Sequence, residues 1–128
     1  MITVKEVILW FRTEYPALAF FNSFVDKDKE KAIGVYERVR YQQPRAIGQK
    51  SSYGYKPLTL LVRWGKNADE CERQALEIKE FIENATADET IGGRSCFVTE
   101  ISGPVNLDCD EKGIFERVID FTICYRKE

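Results

Sequence analysis

Residues 58–71 read Leu-Thr-Leu-Leu-Val-Arg-Trp-Gly-Lys-Asn-Ala-Asp-Glu-Cys, and this stretch indicates the fold class. Its first half alternates from Leu58 to Trp64 with a period of two, which is typical of a strand with one buried face. A glycine then ends the strand, and Asn67 begins a helix whose first turn is acidic, as the positive end of a helix dipole favours. A strand followed directly by a helix predicts a domain in which helices pack on a sheet.

Two amphipathic helices are predicted, one near the start of the chain and one after Asn67. Thr3 and Glu6 have the spacing of a capping box, and Pro16 is expected to end the first helix. In each helix the apolar residues recur at intervals of three and four, which gives one buried stripe. The predicted stripes are Val4, Val7, Ile8, Phe11 and Tyr15 in the first helix and Ala68, Cys71, Ala75, Ile78 and Ile82 in the second.

Further strands are predicted on both sides of the second helix. Residues 18–25 and 32–39 are rich in aromatic and β-branched residues and flank a charged turn, so we expect a β-hairpin. Residues 40–56 lose periodicity and are expected to form a long loop, whereas residues 94–101 read as a strand. The final strand has the clearest alternation, with one face made of Ile119, Phe121, Ile123 and Tyr125.

These elements predict one domain over residues 1–128. We expect an α+β fold with a mostly antiparallel or mixed sheet of about five strands packed by two helices, in the order α-β-β-β-α-β-β. A chain of 128 residues with 44% hydrophobic residues can bury a substantial core. The longest apolar run near the N-terminus, residues 7–11, is too short for a signal-peptide core or a membrane span.

The composition excludes several classes of chemistry. The chain has no histidine, which removes Ser-His-Asp and Cys-His arrangements, the usual zinc sites and the commonest general base. Its net charge of −2 gives no strong overall attraction to nucleic acid or anionic lipid. The four cysteines show no C-x-x-C spacing and are interpreted as free thiols in a cytosolic protein. We therefore expect no enzymatic activity, no cofactor and no metal.

Local motifs support the same conclusion. The acidic turn at residues 108–113 resembles the opening of a calcium loop, but Lys112 and Ile119 occupy its fifth and twelfth positions, so a hairpin connection is favoured. Glu116 and Asp120 suggest a carboxylate pair, which nearby arginines and water explain more simply. The Gly92-Gly93 pair is interpreted as a turn, because no helix or lysine follows it.

The most informative segment is basic and aromatic. Residues 38–56 carry five positive charges and no acidic residue. Such a segment can bind single-stranded nucleic acid, form a protein interface, where Tyr and Arg are enriched, or remain a solvated loop. The candidate interface residues in it are Arg38, Arg40, Tyr41, Arg45, Lys50, Tyr53 and Tyr55.

Residues 53–70 read Tyr-Gly-Tyr-Lys-Pro-Leu-Thr-Leu-Leu-Val-Arg-Trp-Gly-Lys-Asn-Ala-Asp-Glu, and residues 103–121 read Gly-Pro-Val-Asn-Leu-Asp-Cys-Asp-Glu-Lys-Gly-Ile-Phe-Glu-Arg-Val-Ile-Asp-Phe. With Ala-Ile-Gly-Val-Tyr at residues 32–36 as a weaker match, the chain resembles the phage minor capsid family, also described as tail terminator proteins of tailed bacteriophages. The resemblance covers nearly the whole chain in length and element order.

The resemblance implies a structural virion protein. Such a subunit forms a homo-oligomeric ring, usually of six copies, that caps the tail tube and offers a face to the head. Its implied partners are the tail tube protein and a head-completion protein, with no membrane and no specific nucleic acid. Before assembly it would reside in the host bacterial cytoplasm. A head-completion or connector subunit, or a small nucleic-acid-binding module, remains an alternative.

A ring of identical copies joins unlike surface patches when its contacts are heterologous. We therefore expect residues 38–56 to meet an acidic turn of a neighbouring copy or of the tail tube protein. The candidate residues of that turn are Asp108, Asp110 and Glu111.

Overall fold

A computed structural model describes residues 1–38, 53–85 and 89–127. Within these ranges the chain forms two helices and six strands. The helices are α1 (Val4–Glu14) and α2 (Ala68–Glu83), and the strands are β1 (Phe20–Asn22), β2 (Lys31–Glu37), β3 (Tyr53–Trp64), β4 (Glu89–Ile91), β5 (Arg94–Cys109) and β6 (Phe115–Arg126).

The strands form one mixed sheet in the order β1-β2-β3-β6-β5-β4. Strands β3 and β6 lie at its centre and pair antiparallel over eleven positions, from Tyr53 opposite Arg126 to Arg63 opposite Glu116. The α+β class and the succession of helix, strands, helix and strands are confirmed. The described residues contain one strand more than the five expected, because the short β4 lies just before the Gly92-Gly93 turn, in a segment for which no strand was predicted.

The predicted hairpin of residues 18–25 and 32–39 is wrong. Strand β1 runs parallel to β2, with Phe20 opposite Ile33. After β1 the chain turns at Ser23, whose φ is 66°, and passes over the middle of β2. It crosses at Gly34, where a Cβ atom would overlap the Val25 side chain, so the glycine makes room for the return.

Both helices begin as the sequence predicts. The Thr3 hydroxyl accepts a hydrogen bond from the Glu6 amide at 3.1 Å, and the Glu6 carboxylate accepts one from the Thr3 amide at 2.9 Å, which completes a capping box. The Asn67 side chain accepts hydrogen bonds from the first amides of α2. Each helix packs its stripe on the same face of the sheet, although Ala68 is exposed and Trp10 joins the buried residues.

The core lies between the helices and this face of the sheet. Phe11 contacts the rings of Phe20 and Phe81, and its edge meets Phe121 at a centroid distance of 6.2 Å. The predicted alternation of β3 and β6 is present in the residues that face the helices. The strand residues of this core with 0% exposure are Ile33, Val35, Leu58, Leu60, Val62, Ile119, Phe121 and Ile123.

The long loop predicted for residues 40–56 is too long at its end, because β3 already begins at Tyr53. The rest of that prediction, residues 40–52, lies outside the described residues. Strand β5 also exceeds the predicted residues 94–101, since it continues to Cys109 through three shifts of its pairing with β6. Strands β5 and β6 then form a hairpin around the acidic turn, as expected.

Candidate functional site

The face of the sheet turned away from the helices carries a polar network. Arg38 lies at its edge, where Nε donates to the Leu58 carbonyl at 3.1 Å and Nη2 to the Phe121 carbonyl at 2.9 Å. The same guanidinium lies 3.8 Å from Asp120, which also accepts a hydrogen bond from the Thr59 hydroxyl. Arg38 therefore bridges β3 and β6, and its Nε and Nη2 donors are used within the chain.

A second arginine is fully buried in this face. Arg63 has 0% exposure, and its Nη1 atom contacts the carboxylates of Asp110 at 2.5 Å and Glu116 at 3.3 Å. Its remaining donors reach the carbonyls of Lys29 at 2.9 Å and Lys27 at 3.0 Å. Arg63 thus joins the loop before β2, strand β3 and the turn after β5.

The acidic turn is organised around Asp110. One oxygen of its carboxylate accepts hydrogen bonds from the Lys112 and Ile114 amides, while the other contacts Arg63. The Arg63 guanidinium and then the Ile114 amide lower the pKa of Asp110 to about 2, since both stabilise the ionised form. Asp108 and Glu111 are exposed on the same turn.

An open cleft lies at the opposite end of the sheet. It has a volume of about 370 Å³ and is lined by Glu37, Lys56, Tyr125 and Lys127, among others. Lys56 Nζ lies 2.9 Å from the Glu37 carboxylate. Beside the cleft, the Arg94 guanidinium lies 5.9 Å from the ring centroid of Tyr125.

The predicted interface residues therefore separate into two groups. Arg38, Tyr53 and Tyr55 lie at the cleft end of β3, whereas the acidic turn lies at the far end, next to Arg63. Strands rise about 3.3 Å per residue, so the twelve residues of β3 place these ends about 36 Å apart. The other predicted residues, Arg40, Tyr41, Arg45 and Lys50, lie outside the described residues.

Sequence reasoning missed Arg63 and Lys56 as buried charges. Alternation along β3 indicated only the apolar face, and Arg63 occupies the other face, which was expected to be exposed. The signal that could have found Arg63 is its register opposite Glu116, which requires the strand pairing to be known first. The carboxylates suspected as an acid pair belong instead to two different arginine networks.

Three of the four cysteines are packed inside the domain. Cys71, Cys96 and Cys124 are buried, and Cys109 is exposed. Burial raises the pKa of Cys96 to about 11 and also raises the pKa values of Cys71 and Cys124. Among the described residues, no group of His, Cys, Asp or Glu side chains is arranged to hold a metal ion. Over the same ranges, no helix has the length and apolar character needed to span a membrane.

The fold and these two charged ends describe a small subunit with unlike surfaces. Residues 12–127 match a family described as Bacteriophage tail terminator protein. The chain therefore belongs to the bacteriophage tail terminator family and is a structural protein of the phage tail.

The other comparisons concern the fold. A solved structure that carries no functional description is similar to this chain, with a TM-score of 0.52 and 16% sequence identity. The similarity covers 95% of this chain and 87% of the other. At this identity it shows a shared fold and nothing about activity. No curated protein matches the chain.

Proposed function

We propose that this chain is a ring-forming tail terminator that caps the tail tube and provides the face that joins the head. The observation that carries the proposal is the family match, which covers nearly the whole domain. In this role the protein acts by binding other subunits, without catalysis. Its site residues are then contact residues at the two ends of the sheet.

The separation of charge supports head-to-tail contacts between copies. The cleft end carries Arg38, Lys56 and Lys127, and the other end carries the exposed carboxylates of Asp108 and Glu111. Lys56 lies seven residues before Arg63 on β3, a distance of about 23 Å along the strand, so these charges do not pair within one chain. Two unlike patches on one subunit are what a heterologous ring contact requires. In this arrangement residues 38–56 meet the acidic turn of the next copy.

Two of the candidate residues have a different role in that contact. Arg38 and Asp110 already bind partners in their own chain, so they hold the surfaces in place. On the acidic side the proposed contact uses the exposed carboxylates of Asp108 and Glu111. On the basic side it includes, of the residues predicted from the sequence, Arg40, Arg45 and Lys50. Variants that test the contact should therefore leave Arg38 and Asp110 unchanged.

The test is assembly of tail tubes on their initiator with and without the protein, with lengths measured by electron microscopy. We expect uncontrolled lengths, or tubes that never join heads, when the protein is omitted. Tubes of correct length that fail to join heads would favour a head-completion subunit. Normal tails joined to heads in its absence would refute the proposal.

Charge reversal tests the contact surface separately. The double variant Arg40→Glu, Arg45→Glu should weaken capping, and an unchanged melting curve would assign that loss to the contact surface and not to unfolding of the domain. Capping at the wild-type level would exclude these two residues from the interface. Sub-micromolar binding of nucleic acid at physiological salt, lost in this variant, would instead support a nucleic-acid-binding module.

A further inference from the structure

The cleft at the basic end of the sheet contains a lysine that is buried but only partly satisfied. The Lys56 side chain is 7% exposed, whereas that of its partner Glu37 is 56% exposed. An ammonium group has three donors, and within the described residues Glu37 is the one acceptor recorded for it. A buried charge is costly unless it is paired and hydrogen-bonded, so Lys56 can accommodate a second anionic partner in the cleft.

The shape of the cleft is set by a glycine and a tyrosine. Gly54 lies opposite Tyr125 in the β3–β6 pairing, and a Cβ atom at Gly54 would overlap the Tyr125 ring. The absence of a side chain at this position lets the ring lie across the strand as one wall of the cleft. Lys127 lines the same cleft and adds a second positive charge close to Lys56. The cleft therefore exists in the single chain, before any partner binds.

We propose that this cleft binds the Glu111 carboxylate of a second copy of the chain, which donates its acidic turn to Lys56 and Lys127. The inference rests on the proposed function, because it names the residues that join neighbouring copies. Glu37 keeps its contact with Lys56, and the incoming carboxylate takes the donors that remain. Each copy then offers a cleft at one end and a carboxylate at the other.

Glu111 is the suitable occupant because its turn is anchored on both sides and, within residues 1–38, 53–85 and 89–127, no partner holds its carboxylate. Asp110 is bound to Arg63, and Lys112 Nζ is held by the Lys27 carbonyl at 3.1 Å and by Asp28 at 3.5 Å. Glu111 is exposed between these two anchored residues. A carboxylate on a preorganised turn loses less conformational entropy on binding than one on a flexible segment.

The first test is zero-length carbodiimide cross-linking of protein assembled on tube ends, followed by mass spectrometry. We expect a pair of peptides cross-linked between Lys127 and Glu111. Mixed isotopically labelled and unlabelled copies would show that the link joins two chains. Links from Lys127 to a tube protein peptide, without any to Glu111, would overturn the proposal and identify a different occupant.

The second test measures the protein concentration that caps half of the tubes. Glu111→Gln and Lys56→Met should each raise this concentration at least tenfold, and the double variant should raise it no further than the larger single effect. Glu83→Gln removes a matched exposed carboxylate at the end of α2 and should leave it unchanged. If Lys56→Met lowers the melting temperature, the variant Lys127→Gln is used in its place. Lys127 is exposed, so this substitution should leave the stability of the domain unchanged.

The outcomes distinguish this inference from the proposed function. If the wild-type protein fails to limit tube length, the terminator role itself is wrong. If the wild type caps tubes and Glu111→Gln and Lys127→Gln cap them at the wild-type concentration, the terminator role stands and the carboxylate contact is wrong.

Discussion

Replacing Arg63 with methionine is the most informative test of how the charged end of the sheet is held together. The substitution keeps a long apolar side chain in the buried position and removes the guanidinium. It leaves the carboxylates of Asp110 and Glu116 without their shared cation and the Lys29 carbonyl without the Arg63 donor, while the Lys27 carbonyl keeps only its bond from Lys112 Nζ. The loop before β2 and the acidic turn then lose the buried cation that joins them, and the exposed contacts of Lys112 with Lys27 and Asp28 remain.

The expected loss of stability is large. Removing one partner of a buried ion pair costs about 3 to 5 kcal/mol, because the remaining charge stays partly buried without compensation. Domains of this size have a total stability of about 5 to 15 kcal/mol. One kcal/mol shifts the melting temperature of such a domain by about 3 to 5 °C, so Arg63→Met should melt about 10 to 25 °C lower.

The assay is thermal and urea unfolding followed by circular dichroism. Arg12→Met provides the control, since Arg12 is exposed on α1 and a change there should shift stability by less than about 0.5 kcal/mol. If Arg63→Met unfolds within about 1 kcal/mol of the wild type, the Arg63 network does not hold this end of the sheet. A loss of unfolding free energy in Arg63→Met no larger than that in Arg12→Met would also contradict this prediction.

Three further predictions concern single groups. The folded-state pKa of Asp110 is about 2, below its unfolded value of about 3.9, so its contribution to stability is complete above about pH 4 and is lost as the pH falls to about 2. Asp110→Asn should therefore flatten the acid limb of the stability profile, and an unchanged limb would argue against the pairing with Arg63. Gly54→Ala should cost about 1 to 3 kcal/mol in urea unfolding, because the added methyl group overlaps the Tyr125 ring; a neutral result would mean that the ring moves freely. In the folded protein at pH 8, a thiol reagent should label the exposed Cys109 quickly and the buried Cys71, Cys96 and Cys124 slowly. For Cys96, whose pKa is about 11, roughly one thiol in a thousand is ionised at that pH. Equal rates at all four positions would show that the three buried thiols open readily to solvent.

Local signals predicted the parts of the fold that depend on neighbouring residues. The capping box at Thr3 and the Asn67 cap are formed by side chains within a few residues of the helix starts, so their chemistry is readable in the sequence. The core alternation of β3 and β6 is equally local, because each strand buries one face against the same two helices.

Contacts between distant residues were the part that sequence could not supply. The residues of β1 and β2 flank a charged turn, as the strands of a hairpin do. The two strands nevertheless pair parallel, because Gly34 leaves room for the connecting chain to cross over β2. The short strand β4 has three residues, too few to show alternation, and it forms because β5 offers it an edge. Arg63 was placed on a solvent face because its partners are 47 and 53 residues away.

The candidate site was predicted in composition but not in detail. Charge alone indicated that a basic segment and an acidic turn matter, and the structure places their described residues at opposite ends of the sheet. It also changes the expected roles, because Arg38 and Asp110 bind within the chain. Lys56 was counted as one charge of a loop, whereas it is a buried residue of β3 in the wall of a cleft.

The central claim is that this protein caps the tail tube. The most direct measurement is a cryo-electron microscopy reconstruction of the head-proximal end of intact tails, with this domain fitted to the density. We expect a closed ring of copies on the last tube layer, with the cleft end of each copy against the acidic turn of the next. Density for the domain within the head connector, or none at the tube end, would contradict it.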